Sequence, residues 1–264
     1  MKNKSNFDLR DLKKMKVAEK IAEKIAGMPD GSTFGYRELP IEREEYTAAT
    51  KAIERLVKNG LITRASTGLF YKPKRSAFGI LKPDEQELLK PYLFSGGKRI
   101  AYITGTLLYN RMGLTTQVPK NIKIATRDKR LELTLGNRKV TSIKSYADID
   151  DDNYRYLEYL DAIKDFKTIP DINNEAAIRL LKDGIGKLED RALLKRLALQ
   201  YPPRVRALAG ALMELISPKE DLNALRKSLN PLSTFEFGLN NNILPNNITW
   251  NIACNDFTQQ PGTV

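Results

Sequence analysis

Four basic side chains close together in sequence carry the clearest chemistry in the chain. Arg64, Lys72, Lys74 and Arg75 lie in a stretch with no Asp or Glu between Glu54 and Asp84. Cations unopposed by carboxylates attract phosphate oxygens. On a nucleic acid each neutralised phosphate releases counterions, so such binding weakens steeply with salt. A second set lies just upstream. Residues 43–59 (REEYTAATKAIERLVKN) have helical spacing, with Tyr46, Ala49, Ile53, Leu56 and Val57 as the expected buried stripe. The other face carries Arg43, Glu44, Thr47, Thr50, Lys51 and Arg55. Thr and Arg suit base edges and phosphates in a major groove, and Lys51 suits a phosphate. The competing reading is a solvated helix face, and Glu44 and Glu45 would be repelled by phosphate. The expected DNA-contacting residues are therefore Thr47, Thr50, Lys51, Arg55, Arg64, Lys72, Lys74 and Arg75.

Other chemistries find less support. The chain has no histidine, which removes the commonest neutral-pH general base and the usual zinc ligand. Cys254 is its one cysteine, so no intrachain disulfide can form and a reducing compartment fits. Ser95-Gly-Gly-Lys-Arg99 lacks the GxxxxGK[ST] spacing of a phosphate loop, and Gly184-Ile-Gly186 reads as a helix break rather than a dinucleotide motif. Asp148, Asp150, Asp151, Asp152, Asp161 and Asp165 are the carboxylates available to a two-metal nucleotidyltransferase. No Gly-Ser turn followed by Asp-x-Asp precedes them, and 148–152 reads as a solvated acidic loop or a contact for a basic domain. No catalytic residue, metal or cofactor is expected. Should the enzymatic alternative hold, Asp148 or Asp161 would be required.

The basic residues need a scaffold, and the hydrophobic pattern supplies one. Residues 12–27 place Leu12, Met15, Ala18, Ile21, Ala22 and Ile25 at helical spacing, stopped by Gly27 and Pro29. Ser32-Thr33-Phe34 reads as extended, and 36–39 as a short helix ended by Pro40. After the helix over 43–59, closed by Gly60, come two β runs, Leu61–Arg64 and Gly68–Tyr71, joined through Ala65-Ser66-Thr67. Helix, strand, short helix, long helix and hairpin is the order of a winged helix-turn-helix, placed over residues 1–75. A linker over 76–83 is expected next, then an α+β domain over 84–230. That domain combines a helix over 84–93, a strand entering a helix over 100–114, and β runs at 121–126, 131–135 and 139–143. Helices follow over 154–166, 174–183, 187–200, 203–216 and 219–229. Residues 231–264 are Asn-rich and read as an arm, an added strand pair or a tail.

Composition agrees with that plan. The 264 residues carry a formal charge of +12, and residues 1–80 hold 17 Lys and Arg against 10 Asp and Glu, so +7 of it lies there. A basic surface attracts polyanions. A protein-interaction module meeting an acidic partner is the other reading of that charge. No run reaches the ~18 apolar residues of a membrane span, and residues 1–10 have no apolar signal core, so a cytoplasmic protein with no membrane partner is expected.

Three segments together resemble the AbiEi family of antitoxins, the regulators of abortive-infection (type IV) toxin–antitoxin operons. They are Asn59-Gly-Leu-Ile-Thr-Arg64 with Thr67-Gly-Leu-Phe-Tyr71; Ala101-Tyr-Ile-Thr-Gly105 through Leu107-Leu-Tyr-Asn-Arg-Met-Gly-Leu-Thr-Thr-Gln-Val-Pro119; and Asn121-Ile-Lys-Ile-Ala-Thr126. The likeness covers about residues 12–170. In the middle block Gly105 lets a strand turn into a helix, Gly113 ends that helix, and Pro119 sets the next strand's start. The resemblance implies a repressor that binds repeats in its own promoter, a possible homodimer on DNA. It also implies a C-terminal domain that counters a nucleotidyltransferase-like toxin, with no direct contact assumed. The expected fold is α+β: an N-terminal winged helix-turn-helix, then a mixed α/β C-terminal domain ending in a helical region.

Overall fold

The computed structural model describes residues 9–77, 79–81, 83–128 and 130–255. It is an α+β protein of two compact units, one formed by residues 1–95 with 133–137, the other by 96–132 with 138–264.

The first unit contains α1 (Leu9–Ala26), β1 (Thr33–Gly35), α2 (Tyr46–Lys58), β2 (Thr63–Ser66), β3 (Leu69–Tyr71), β4 (Lys74–Ser76), β5 (Gly79–Leu81), α3 (Glu85–Leu93) and β6 (Phe94–Ser95). Two single turns of 3-10 helix, at Tyr36–Glu38 and Arg43–Glu45, fill the chain between β1 and α2. α1 buries Val17, Ile21 and Ile25, one side chain per turn; Ala22 is exposed, and the expected Leu12 and Met15 lie outside the described side chains. α2 buries Ala49, Ala52 and Ile53 against that stripe in a core shared with Phe34, Leu39, Ile62 and Phe70. Small alanines on α2 let the two helices approach closely. Gly60, at φ +68°, ends α2, and the Leu61 N–H returns to the Leu56 carbonyl at 3.0 Å.

The three-stranded sheet runs β1–β3–β2, antiparallel throughout. β3 is its centre. Phe70 faces Phe34 on one side and Arg64 on the other, and Leu69, Phe70 and Tyr71 are all buried. The turn between β2 and β3 is two residues, Thr67 and Gly68, with Gly68 at φ +75°. Within 76–83, expected as a linker, Ser76 and Gly79–Leu81 instead complete a hairpin: Lys74 pairs with Leu81, Arg75 with Ile80 and Ser76 with Gly79. α3 then joins this unit, where the Thr33 hydroxyl donates to the Glu87 carbonyl at 2.6 Å.

The second unit begins with β7 (Lys98–Arg99) and β8 (Ala101–Thr104), then α4 (Thr106–Arg111) and β9 (Asn121–Thr126). β10 (Glu132–Leu135) comes next in the chain, its residues 133–135 belonging to the first unit, and β11 (Arg138–Lys144) follows in the second. β9 pairs antiparallel with β8 and parallel with β11, the Asn121–Thr126 register matching Lys139–Lys144 residue for residue. Gly105 at φ +71° turns β8 into α4, and Gly113 at φ +76° ends it, as the middle block requires.

Helices α5 (Tyr154–Asp165), α6 (Asn174–Gly186), α7 (Arg191–Ala198), α8 (Pro203–Ile216) and α9 (Asn223–Lys227) come next. α8 is buried nearly all round, from Val205 through Met213. Gly184 does not break α6: it lies inside the helix because the Tyr159 ring packs where a Cβ would stand, 2.4 Å from it. Past Pro231 the chain is folded as far as 255, with β12 (Phe235–Asn240) and β13 (Ile252–Asn255) pairing in parallel. Trp250 is fully buried and lies on Gly210 of α8. Residues 256–264 lie outside the described part. Among the described residues no helix is long and apolar enough to cross a membrane.

A Cβ at Gly210 would fall 2.1 Å from the Trp250 ring. Gly210→Ala should therefore lower unfolding stability by about 1–3 kcal/mol despite its better helix propensity, measured as a lower urea midpoint at unchanged slope.

Candidate functional site

The eight residues expected to meet DNA divide by role. On α2, Thr47, Lys51 and Arg55 are exposed at the spacing of one helix face, which Glu54 and Lys58 share. Lys58 was missed in the sequence although it continues the i, i+4, i+7, i+11 pattern set by Thr47, Lys51 and Glu54. Thr50 is half-buried, and its hydroxyl donates back to the Tyr46 carbonyl at 2.9 Å, so its donor is engaged within the helix. Arg64 is exposed on β2, its guanidinium 5.6 Å from the Phe70 ring centre, which holds the charge above the sheet. Lys74 and Arg75 are exposed on β4.

Lys72 departs from expectation. Its ammonium donates to the carbonyls of Ala26 at 2.9 Å and Met28 at 2.8 Å and pairs with Asp30 at 3.1 Å. Ala26 is the last residue of α1 and Met28 lies two residues beyond it, where backbone acceptors lack helical partners and the helix dipole favours a cation. Lys72 is thus bound into the fold, not presented for a phosphate.

Two expectations for α2 are also corrected. Tyr46 is 51% exposed, its ring tilted against that of Tyr36 at 5.0 Å rather than placed in the core. Glu45 does not face outward. It is buried, and its carboxylate accepts the Glu42 N–H at 3.1 Å, closing the turn before the helix. Of the two acids expected to repel phosphate, only Glu44 is exposed.

A further feature escaped the sequence reading. On the β4–β5 hairpin Ile80 and Leu81 are 59% and 45% exposed, across the strands from Arg75 and Lys74. The hairpin therefore presents two cations backed by two apolar side chains. The signal was available in the Ser76–Gly79 spacing, which fits a two-residue turn.

In the second unit the acidic residues do structural work. Asp161 is buried on α5. Its Oδ2 accepts the hydroxyls of Thr104 at 2.8 Å and Tyr102 at 3.1 Å; its Oδ1 accepts Tyr201 at 3.2 Å and the Lys164 ammonium at 3.1 Å. Burial, reinforced by the Asp161 charge, pushes the Tyr102 and Tyr201 phenols far above their ordinary range. Burial works to lower the Lys164 ammonium, but the Asp161 and Asp165 carboxylates outweigh it and raise the group. The carboxylate thus ties β8, α5 and the turn between α7 and α8 together. Asp148 is exposed and pairs with Arg127 at 3.1 Å, and Asp151 pairs with Arg99 at 2.8 Å. Asp150 accepts the N–H groups of Asp152 and Asn153. Among the described residues no group of three or more His, Cys, Asp or Glu could hold a metal ion.

The block over 101–119 is organised as a clasp. The Asn110 amide donates to the carbonyls of Thr115 and Gln117, and Gln117 reaches Asp171 at 3.0 Å. Nearby, burial raises the Glu158 carboxyl to about 7, against the lowering pull of Arg99, Arg111 and Arg155.

Part of the chain is similar to a family, and most of it is similar in fold to a solved structure. Residues 20–149 match a family described as a family of unknown function (DUF6088). No curated protein matches the chain. Among solved structures, the crystal structure of RV2827C protein from Mycobacterium tuberculosis is similar, with a TM-score of 0.51 at 13% identity, over 84% of this chain and 85% of that one. At that identity the likeness is one of fold.

Two outcomes follow from these geometries. Lys72→Met should cost about 1–3 kcal/mol of stability, because two carbonyls lose a charged donor, whereas Arg64→Ala should stay within about 0.5 kcal/mol; denaturant titration separates them. Glu158 binds its proton more tightly folded than unfolded, so stability is full below the ordinary carboxyl range and falls as pH rises towards about 7. Glu158→Gln should flatten that fall between pH 5 and 7.5 in thermal melts, and an unchanged profile would show that another group causes it.

Proposed function

We propose that the first unit is a winged helix-turn-helix that binds double-stranded DNA, with α2 as the groove-facing helix and the β2–β3 turn as a short wing. The observation that carries this reading is the exposed α2 face. It presents Thr47, Lys51, Arg55 and Lys58 with Glu54 as its one acid, flanked by Arg64 and by Lys74 and Arg75 on the hairpin. The element order supports it: helix, strand, short helical turns, helix, then two strands, with β1 closing on β3. Among the described residues none of these six cations makes an ion pair, which leaves them available to phosphates. Lys74 and Arg75 on the β4–β5 hairpin take the place that Lys72 vacates.

On this reading the protein is a transcriptional repressor of the AbiEi antitoxin type that binds repeats in its own promoter, as a homodimer or as paired monomers. Its second unit then counters a nucleotidyltransferase-like toxin without a required stable complex, and neither unit is an enzyme. The support is the resemblance over residues 101–126, whose glycine turns and Asn110 clasp are structural features and bring no catalytic group.

Fluorescence anisotropy on labelled duplex from upstream of the gene tests the reading. Six cations bound to phosphate would give a log–log salt slope of up to about −5. Replacing Arg64, Lys74 and Arg75 by alanine should make it shallower by about 2–3 and weaken binding, while Lys72→Met, if folded, leaves the slope unchanged. Wild-type binding by the triple variant would remove the assignment. Absence of binding to any duplex would favour a module that docks a protein instead.

A further inference from the structure

The Asn-rich segment that follows Pro231 builds one wall of a groove in the second unit. We propose that this groove binds a small organic anion, an apolar body carrying a carboxylate or a phosphate. The site is independent of the DNA-binding reading.

The groove encloses about 410 Å³, within the ~300–1,000 Å³ range of small-molecule sites. Its apolar surface comes from Ile178 on α6, Leu215 on α8 and Ile243. Above that floor stand two cations one turn apart on α6, Arg179 and Lys182. Lys182 is half-buried and has no carboxylate partner among the described residues. Placing an ammonium partly out of water without a counter-ion is costly unless a ligand supplies the charge.

Arg179 is held at 3.2 Å by Glu175, which also lines the groove, in an exposed i,i+4 pair. Such pairs contribute only about 0.3–0.5 kcal/mol, so an incoming anion can take over the guanidinium at little cost. Asn242 also lines the groove.

The opposite wall is preorganised. Asn240 accepts the Ile243 N–H on its side-chain oxygen at 3.0 Å and on its carbonyl at 3.1 Å, which closes a tight turn. Asn174, the first residue of α6, donates its amide to the Gly238 carbonyl at 2.7 Å, fixing that helix to β12. Gly238 has φ +69°, and a Cβ there would lie 3.1 Å from the Asn174 amide nitrogen. A wall fixed in this way loses little freedom when a ligand arrives, which favours binding. The asparagines are thus turn-forming residues, and they frame a groove with two cations on its other side.

Methyl NMR on the full chain tests the site, following Ile178, Leu215 and Ile243 while hexanoate, hexyl phosphate or hexanamide is added. One of the two anions should shift these methyls saturably, and the tighter one identifies the headgroup. The neutral amide should bind at least about tenfold more weakly, the loss expected for one charged hydrogen bond. Replacing Arg179 and Lys182 together by methionine should weaken the anion by about tenfold or more, and Lys182→Gln, the milder change, by a smaller factor. The proposal fails if neither anion shifts the methyls, if hexanamide binds as well as the anions, or if Lys182→Gln and the double variant bind like the wild type.

Discussion

Strand β3 has hydrogen-bonded neighbours on both sides and all three of its side chains buried. For so small a unit this is the governing constraint. With Phe70 placed between Phe34 and the aliphatic stripe of α1 and α2, β1 must close on one edge and β2 on the other. The two-residue turn at Thr67 and Gly68 follows, because a longer loop would let the strands splay. The orientation of α2 follows too. Ala49, Ala52 and Ile53 are drawn onto the core, and the face bearing Thr47, Lys51, Arg55 and Lys58 is left to solvent. The basic surface is thus a consequence of where the apolar residues had to go.

The same constraint sorts the cations. Lys72 follows the last residue of β3, and its backbone still pairs with Ser32 and Gly31. That position carries its side chain to the end of α1, where unpaired carbonyls compete for it more strongly than solvent does. Lys74 and Arg75 lie beyond the buried Pro73, on a hairpin that extends outward, and remain exposed. Charge density along a sequence therefore overstates the surface charge. Of Arg64, Lys72, Lys74 and Arg75, one caps a helix.

Much of this was legible beforehand. The helix over 43–59 was expected and α2 runs Tyr46–Lys58; the strand at Asn121–Thr126 and the helix over 203–216 coincide with β9 and α8. Periodicity and glycine stops suffice where an element has one buried face. What was not legible depends on partners distant in sequence. Tyr46 reads as core by spacing, but the chain before α2 turns so that its ring packs, tilted, against Tyr36. Glu45 reads as exposed, but the turn needs its carboxylate. Gly184 reads as a break until Tyr159, twenty-five positions earlier, is seen to occupy the space of its side chain. Residues 231–255 read as a possible tail because nothing local shows that Trp250 has a seat on Gly210, or that its indole N–H and the Asn246 amide both donate to Glu214 at 2.8 Å. Of the candidate site, the six cations were visible except Lys58, while the distinct role of Lys72 was not.

As proposed, the first unit meets DNA through α2 and the hairpins beside it. Hydrogen exchange on the full chain, with and without duplex from its own upstream region, is the test. Slowed exchange is expected in the amides of α2, the β2–β3 turn and β4–β5, with helices α6 to α9 unchanged. Protection confined to the second unit, or none in α2 at saturating duplex, would contradict it.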